Sequence, residues 1–212
     1  MMKLYKNAPV TALTAPLAAV ALLTLSACFT PPQTATAELK GGNYVLDPTH
    51  ASVIWSLSHA GLSNYSARFD DISGTLSFEP SAPANSQLDI IIDPKSVNTG
   101  LPDFDETIAT GSNYFNANSF PEIRFTSTAI NVSGEARGTV TGDLTFRGVT
   151  KPVTLDVTFN GAGKSFGHPG DTLGFSATTE IDRGAFGLTH LSNFGIGNEV
   201  TLRIEAEFNE VQ

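Results

Sequence analysis

The chain is poor in the residues that do most protein chemistry. It has 212 residues but one cysteine, one tryptophan, two methionines and four histidines, and only 16% of it is charged. With Cys28 alone, no disulfide can form within the chain. The histidines are not spaced as metal ligands. His50 and His59 stand at opposite ends of one strand-like run and His168 lies in the polar loop GKSFGHPGD, so together with His190 they give no expectation of a metal site. No G-x-S-x-G elbow occurs, since Ser73, Ser112 and Ser133 fall in strand or turn contexts. Asp70, Asp71, Asp103, Asp105 and Glu106 are dense but unpaired in pattern, which suits a solvated rim and a helix first turn better than an acid–base pair. Twelve Lys and Arg against 21 Asp and Glu leave a net charge of −9. That balance argues against nucleic acid, where affinity comes largely from cations meeting phosphates, and against charge-driven attachment to an anionic membrane. No catalysis is expected.

Long hydrophobic runs are equally scarce. The one clear case, residues 10–25, is interrupted by Thr11, Thr14, Pro16 and Thr24, and is short against the roughly 20 residues of a membrane span. Lys3 and Lys6 precede it and small residues follow, the layout of a secretory signal. Leu25-Ser26-Ala27-Cys28 resembles the lipobox of bacterial lipoproteins, whose cysteine is acylated and begins the mature chain. The resemblance implies a signal peptide over 1–27, lipid attachment at Cys28 and anchoring in the bacterial cell envelope, facing the periplasm. Phe29, where an aspartate is absent, resembles the sorting context for the outer membrane. Removal of 1–27 leaves 185 residues with a net charge of −11. The Pro- and Thr-rich stretch up to residue 42 reads as a flexible tether.

From residue 43 to 212 the dominant period is two, the mark of strands with one buried and one wet face. Eight runs show it: Val53/Trp55/Leu57; Ile72/Gly74/Leu76/Phe78; Leu88/Ile90/Ile92; Ile123/Phe125/Ser127/Ala129; Val140/Gly142/Leu144/Phe146; Val153/Leu155/Val157/Phe159; Leu173/Phe175/Ala177/Thr179/Ile181; and Val200/Leu202/Ile204/Ala206/Phe208. Short Gly-containing turns at 133–135 and 147–149 imply antiparallel neighbours. One helix is predicted, over residues 102–110, with acids in its first turn. A single helix cannot cover eight apolar faces, so the sheet must cover itself as an all-β barrel or sandwich. The small inward residues Gly74, Ala129, Gly142, Ala177 and Ala206 either leave volume for a ligand or fit a taper.

In IDRGAFGLTH, residues 181–190, two arrangements are open. Arg183 could sit at a barrel mouth against a polar head group with Phe186 folding over it, or pair with a carboxylate in a structural plug that Phe186 completes.

Across the domain the residues are similar to those of the YceI-like family of bacterial periplasmic polyisoprenoid-binding proteins. The likeness runs in order through YVLDPTHASVIW (Tyr44, Asp47, His50, Val53), His59, ARFDDISGTLSF, IDPKSVNTG, YFNANSFPEIRFTST, VTGDLTFRGVTKPVTL and DRGAFG. It implies an eight-stranded antiparallel lipocalin-like β-barrel with a short helical insertion, holding an isoprenoid or quinone-type lipid without other cofactors. The chain departs from the family at Phe104-Asp105-Glu106-Thr107-Ile108, where relatives read Arg-Asp-x-His-Leu, and at Ala67, where they show glycine. The expected ligand-binding residues are Trp55, Leu57, Leu76, Phe78, Ile90, Phe125, Phe146, Leu155, Phe159, Phe175 and Phe208, with Phe104, Phe115, Arg183 and Phe186 near the ends. The alternatives are a packed barrel serving as a stress-related protein-interaction module, and an enzyme using His59 or His190 with a carboxylate. A homodimer is left open.

Overall fold

In the computed structural model, residues 31–165 and 167–212 are described; the signal segment and Cys28 lie outside them. The described chain forms eleven strands: β1 (Gly42–Leu46), β2 (Ser52–His59), β3 (Ser63–Phe69), β4 (Ile72–Phe78), β5 (Gln87–Ile92), β6 (Val97–Asn98), β7 (Ile123–Val132), β8 (Arg137–Phe146), β9 (Val149–Gly163), β10 (Thr172–Asp182) and β11 (Ile196–Glu210). They make eight staves, because β1 and β2, β3 and β4, and β5 and β6 are each one stave broken in the middle. β11 bonds to β10 along one side, and along the other to β2 (Val53 opposite Ile204) and β1 (Leu46 opposite Phe208). β2 in turn pairs β3, and β1 pairs β4. The ring β1-β4-β5-β7-β8-β9-β10-β11 is therefore closed, every neighbour antiparallel, and no edge is left over most of its height. The eight-stranded barrel with one helix follows from the alternation read in the sequence.

The three stave breaks lie side by side. Asp47, Asp70-Asp71 and Asp93 mark them, and the two followed by proline run into short 3-10 turns. Asp47 accepts the Thr49 amide at 2.9 Å and Asp93 the Lys95 amide at 2.8 Å, replacing ladder bonds lost at the bend. The Thr49 hydroxyl and His50 hold the Asp47 carboxyl well below its ordinary range. The break turns the staves, so the barrel has an upper half holding the first and last described residues and a lower half holding α1 (Pro102–Thr110).

α1 begins on Pro102, whose missing N–H costs nothing at that position. Asp105 accepts the Thr99 amide and hydroxyl at 2.7 and 2.6 Å, tying the preceding loop to the first turn. Ile108 and Ala109 are buried, and their carbonyls accept the amides of Phe115 and Ala117. The chain leaving α1 thus folds back and drives Phe115 into the barrel.

Three details differ from the sequence reading. β1, β3 and β6 carry too few apolar residues to announce themselves. In β7 a bulge between Ser127 and Ala129 inserts Thr128, so Ile130 takes the inner position opposite Val140 and Ala129 is exposed. Gly74 and Gly142 do not leave volume: a Cβ on Gly74 would lie 2.8 Å from the Asp89 carbonyl oxygen and against Ile90, and one on Gly142 would lie 2.6 Å from the Thr126 carbonyl and inside the Phe125 ring. Their neighbours already use the space.

Gly142→Ala is expected to destabilise the barrel by about 1–3 kcal/mol, read as a lower urea midpoint. Ala129→Ser, outside on the bulge, should change it by less than about 0.5 kcal/mol.

Candidate functional site

In the upper half the inward side chains meet across the axis where Phe78 reaches Phe159, and leave space beside that contact. Leu88, Ile90, Val157, Ile204 and Ala206 point inward yet remain only half-buried, because they face a cavity of about 240 Å³. Leu76, Phe78, Ile90, Phe125, Leu155, Phe159, Phe175 and Phe208, all named from the sequence, line it. Phe159 and Phe175 have ring centroids 5.3 Å apart and Phe175 and Phe208 6.0 Å, making an aromatic arc along one wall, and Phe78 reaches over from β4 to stack on Phe159 at 6.4 Å. Ala177 and Ala206 are also on the wall, so two of the small residues do leave room, unlike the glycines. Leu46 and Ile130 line the cavity unannounced. Leu46 belongs to a short strand whose Tyr44/Leu46 alternation was its only signal, and no feature of the sequence marks the bulge that turns Ile130 inward.

The cavity opens at the upper end, among Thr36, Pro83, Ser86, Asn131, Glu135 and Thr139. Thr36 belongs to the segment read as a free tether. From residue 31 onward that segment is fastened to the barrel: Gln33 and Ala162 exchange backbone hydrogen bonds of 2.7 and 2.8 Å, and Lys40 pairs with Glu210.

The lower half is filled. Phe115 is the hub of an aromatic cluster, its ring 6.3 Å from Trp55, 5.6 Å from Phe69 and 5.6 Å from Phe146, which contacts Phe186 at 5.9 Å. Phe104 sets its edge against Tyr65 and Tyr114. Leu57 pairs across β2 with Val200 and Tyr65. Trp55, Leu57, Phe104, Phe115, Phe146 and Phe186 therefore form a plug and do not line the cavity; alternation gave the face of Trp55, Leu57 and Phe146 but not their height.

Arg183 holds this plug. It is 5% exposed, and every N–H of its guanidinium has a partner. Nε donates to the Gly197 carbonyl at 2.8 Å, Nη1 to Leu188 and His190 at 2.9 and 3.0 Å, and Nη2 to the Ser192 hydroxyl and the Ile196 carbonyl, both at 3.1 Å. Asp182 begins the turn by accepting the Gly184 amide at 2.8 Å, and Gly187, at φ 76°, reverses the chain so that Phe186 points inward, 2% exposed. Burial lowers the Arg183 pKa from its ordinary value, with the Asp182 charge opposing. Of the two arrangements open in the sequence, the structure adopts the plug, with backbone carbonyls where a carboxylate was anticipated.

Elsewhere titratable groups are scattered over the outside. His50 meets Asp47 at 2.9 Å and Glu207 at 4.0 Å on the exposed waist. His190 packs its ring on Tyr114, and His59 lies near Tyr65. Among the described residues no three His, Cys, Asp or Glu side chains gather as a metal site requires.

A closed eight-stranded antiparallel barrel, plugged below and open above onto an apolar lumen, has the form of a small-ligand binding protein. Residues 44–208 match the YceI-like domain family model, and the chain belongs to that family. It is 38% identical over 140 residues to a UPF0312 protein of Pseudomonas putida strain GB-1, covering 66% of this chain and 71% of the relative. To a UPF0312 protein of Pseudomonas syringae pv. syringae it is 35% identical over 174 residues, covering 80% and 86%. Among solved structures, the YceI protein of Campylobacter jejuni superposes with a TM-score of 0.65 at 31% identity over 71% of this chain and 88% of that one. A polyisoprenoid binding domain from Saccharophagus degradans, 17% identical, shares the fold at a TM-score of 0.59 over 81% of this chain and all of its own.

Arg183→Met should lower stability by about 2–4 kcal/mol, since it leaves buried carbonyls without donors. Arg183→Lys should recover less than half of that, because one ammonium has three donors and no fork; urea unfolding of both variants measures it.

Proposed function

We propose that the protein binds an isoprenoid or a similar amphipathic lipid in its upper lumen, without catalysis, in the bacterial cell envelope. The observation that carries this reading is the open apolar cavity of about 240 Å³. Apolar surface removed from water contributes roughly 25 cal/mol per Å² and asks for no hydrogen-bonding partners, which is what a hydrocarbon chain offers and such a wall accepts. The family supports it, and so does the polyisoprenoid binding recorded for the S. degradans domain of the same fold. The lumen also weighs against a fully packed interaction module. Neither His59 nor His190 has a carboxylate ion-pair partner among the described residues, which weighs against the acid–base enzyme.

Anchoring through acyl groups on Cys28, at the outer membrane, belongs to the same proposal. Gln33 is fastened at the end of the barrel where the cavity opens, and only residues 29–32 separate it from Cys28. Five peptide steps span at most about 18 Å, at roughly 3.3–3.6 Å per residue. An acylated Cys28 would therefore keep the open end close to the bilayer that supplies the cargo, closer than a free tether of fourteen residues would.

Organic extraction of the natively purified protein, followed by mass spectrometry, should yield close to one isoprenoid or comparable single lipid per chain. Repeated recovery of none would count decisively against the carrier. Cys28→Ser should move the protein from the membrane fraction to the soluble fraction while its lipid content stays the same.

A further inference from the structure

We infer that residues 32–40 are a strap across the mouth of the cavity, latched at Pro32-Gln33 and held at Lys40, and that release of the latch sets the rate at which the lumen exchanges its occupant. The inference rests on the lipid-binding reading above and concerns the regulation of that same site.

The course of the strap follows from its two attachments. Pairing of β9 with β8 ends where Arg137 meets Thr158, but β9 continues to Gly163, and Gln33 takes the backbone groups of Ala162 that β8 no longer reaches. At its other end the segment becomes β1, whose Gly42 lies opposite Phe78 of β4. In the closed ring, the β8 side of β9 and the stave β1 are separated by three strands one way and four the other. A chain joining two nearly opposite points of a ring passes over its opening. Midway, Thr36 lines the cavity, and Leu39 packs against the core.

The two attachments differ in strength. At Gln33 the hold is a pair of backbone hydrogen bonds to Ala162 of 2.7 and 2.8 Å, beside a proline seated over a glycine. A Cβ on Gly161, at φ 128°, would lie 2.6 Å from the Pro32 Cβ, so only glycine leaves the strap its seat. Pro31, Pro32 and Gln33 are exposed, and water competes for both bonds of the bridge, which keeps their net contribution small. At the other end Lys40 pairs with Glu210, its carbonyl accepts the hydroxyl of the buried Tyr44 at 2.9 Å, and the chain then runs directly into β1. The crossing piece is braced within itself. Gln33 Nε2 donates to the Glu38 carboxylate at 2.8 Å, and the amides of Glu38 and Leu39 donate to the carbonyls of Ala35 and Thr36 at 3.2 and 3.0 Å. A braced piece with one weak end and one strong end moves as a flap, turning about Lys40 when the bridge at Gln33 parts.

Gln33→Cys with Ala162→Cys locks the flap reversibly. Residues that exchange both backbone bonds stand about 5.5 Å apart at Cα, within the range that a disulfide bridges, and Cys28→Ser in the same full chain leaves no third thiol. The protein is refolded free of lipid and mixed with N-phenyl-1-naphthylamine in stopped-flow fluorescence. Oxidation should slow association and dissociation alike, by about tenfold or more, and leave affinity within about twofold, because a flap that closes over an empty and a filled lumen equally changes rates only. Dithiothreitol should restore both rates. Gln33→Pro removes one donor of the bridge outside the barrel wall, and should speed both rates by a common factor of about three; it decides the question alone if the cysteines stay reduced. Rates indifferent to oxidation or to Gln33→Pro overturn the gate. So does a change in affinity carried by dissociation alone, which makes the strap a fixed part of the wall. Absence of probe binding in every form overturns the lipid-binding reading itself.

Discussion

A sheet that closes on itself has to account for its inside. Here β11 is hydrogen-bonded on both sides, and the closure leaves eight inward faces and a single nine-residue helix with which to cover them. It sends the following loop inward, so that Phe115 fills the space between the strand rings Trp55, Phe69 and Phe146 in the lower half. The other half receives no such delivery. The cavity is therefore the part of the lumen that the insertion does not reach, widened where Ala177 and Ala206 stand on its wall.

The aligned breaks at Asp47, Asp70-Asp71 and Asp93 separate these halves. Each interrupts a stave, and at Asp47 and Asp93 a carboxylate takes the amide that the ladder gives up. The penalty for bending an antiparallel sheet is thereby confined to three neighbouring points. Above the break Phe78 and Phe159 touch across the axis, and the remaining wall faces the cavity. Below it, Trp55, Phe69, Phe115 and Phe146 touch across the axis. Rigidity and room are thus assigned to different ends of one core.

Much of this was legible in the sequence because the signal is periodic. Alternation marked eight runs, and closure followed from the scarcity of helix. The rest depends on facts that period two does not carry. Tyr44 and Leu46, or Tyr65, Ala67 and Phe69, are runs too short or too polar to stand out. One extra residue at Thr128 reverses the inner face of half a strand with no compositional trace. Height along the axis is invisible to a pattern that reports only inside or outside, and for that reason Trp55 and Leu76 looked equivalent although one is floor and the other wall. Arg183 was the hardest to place. Its chemistry suited both a ligand and a plug, and the choice lay in carbonyl groups that no side chain announces.

Those carbonyls have a consequence for the conditions under which the barrel keeps its shape. A guanidinium held by a carboxylate would loosen as acid neutralised its partner near the ordinary carboxylate range of about 4. Arg183 has given its donors to four backbone carbonyls and one hydroxyl, none of which titrates. Its bonds are buried, so dissolved ions screen them little. The five bonds that tie the base of the barrel accordingly contain no acceptor that acid can neutralise.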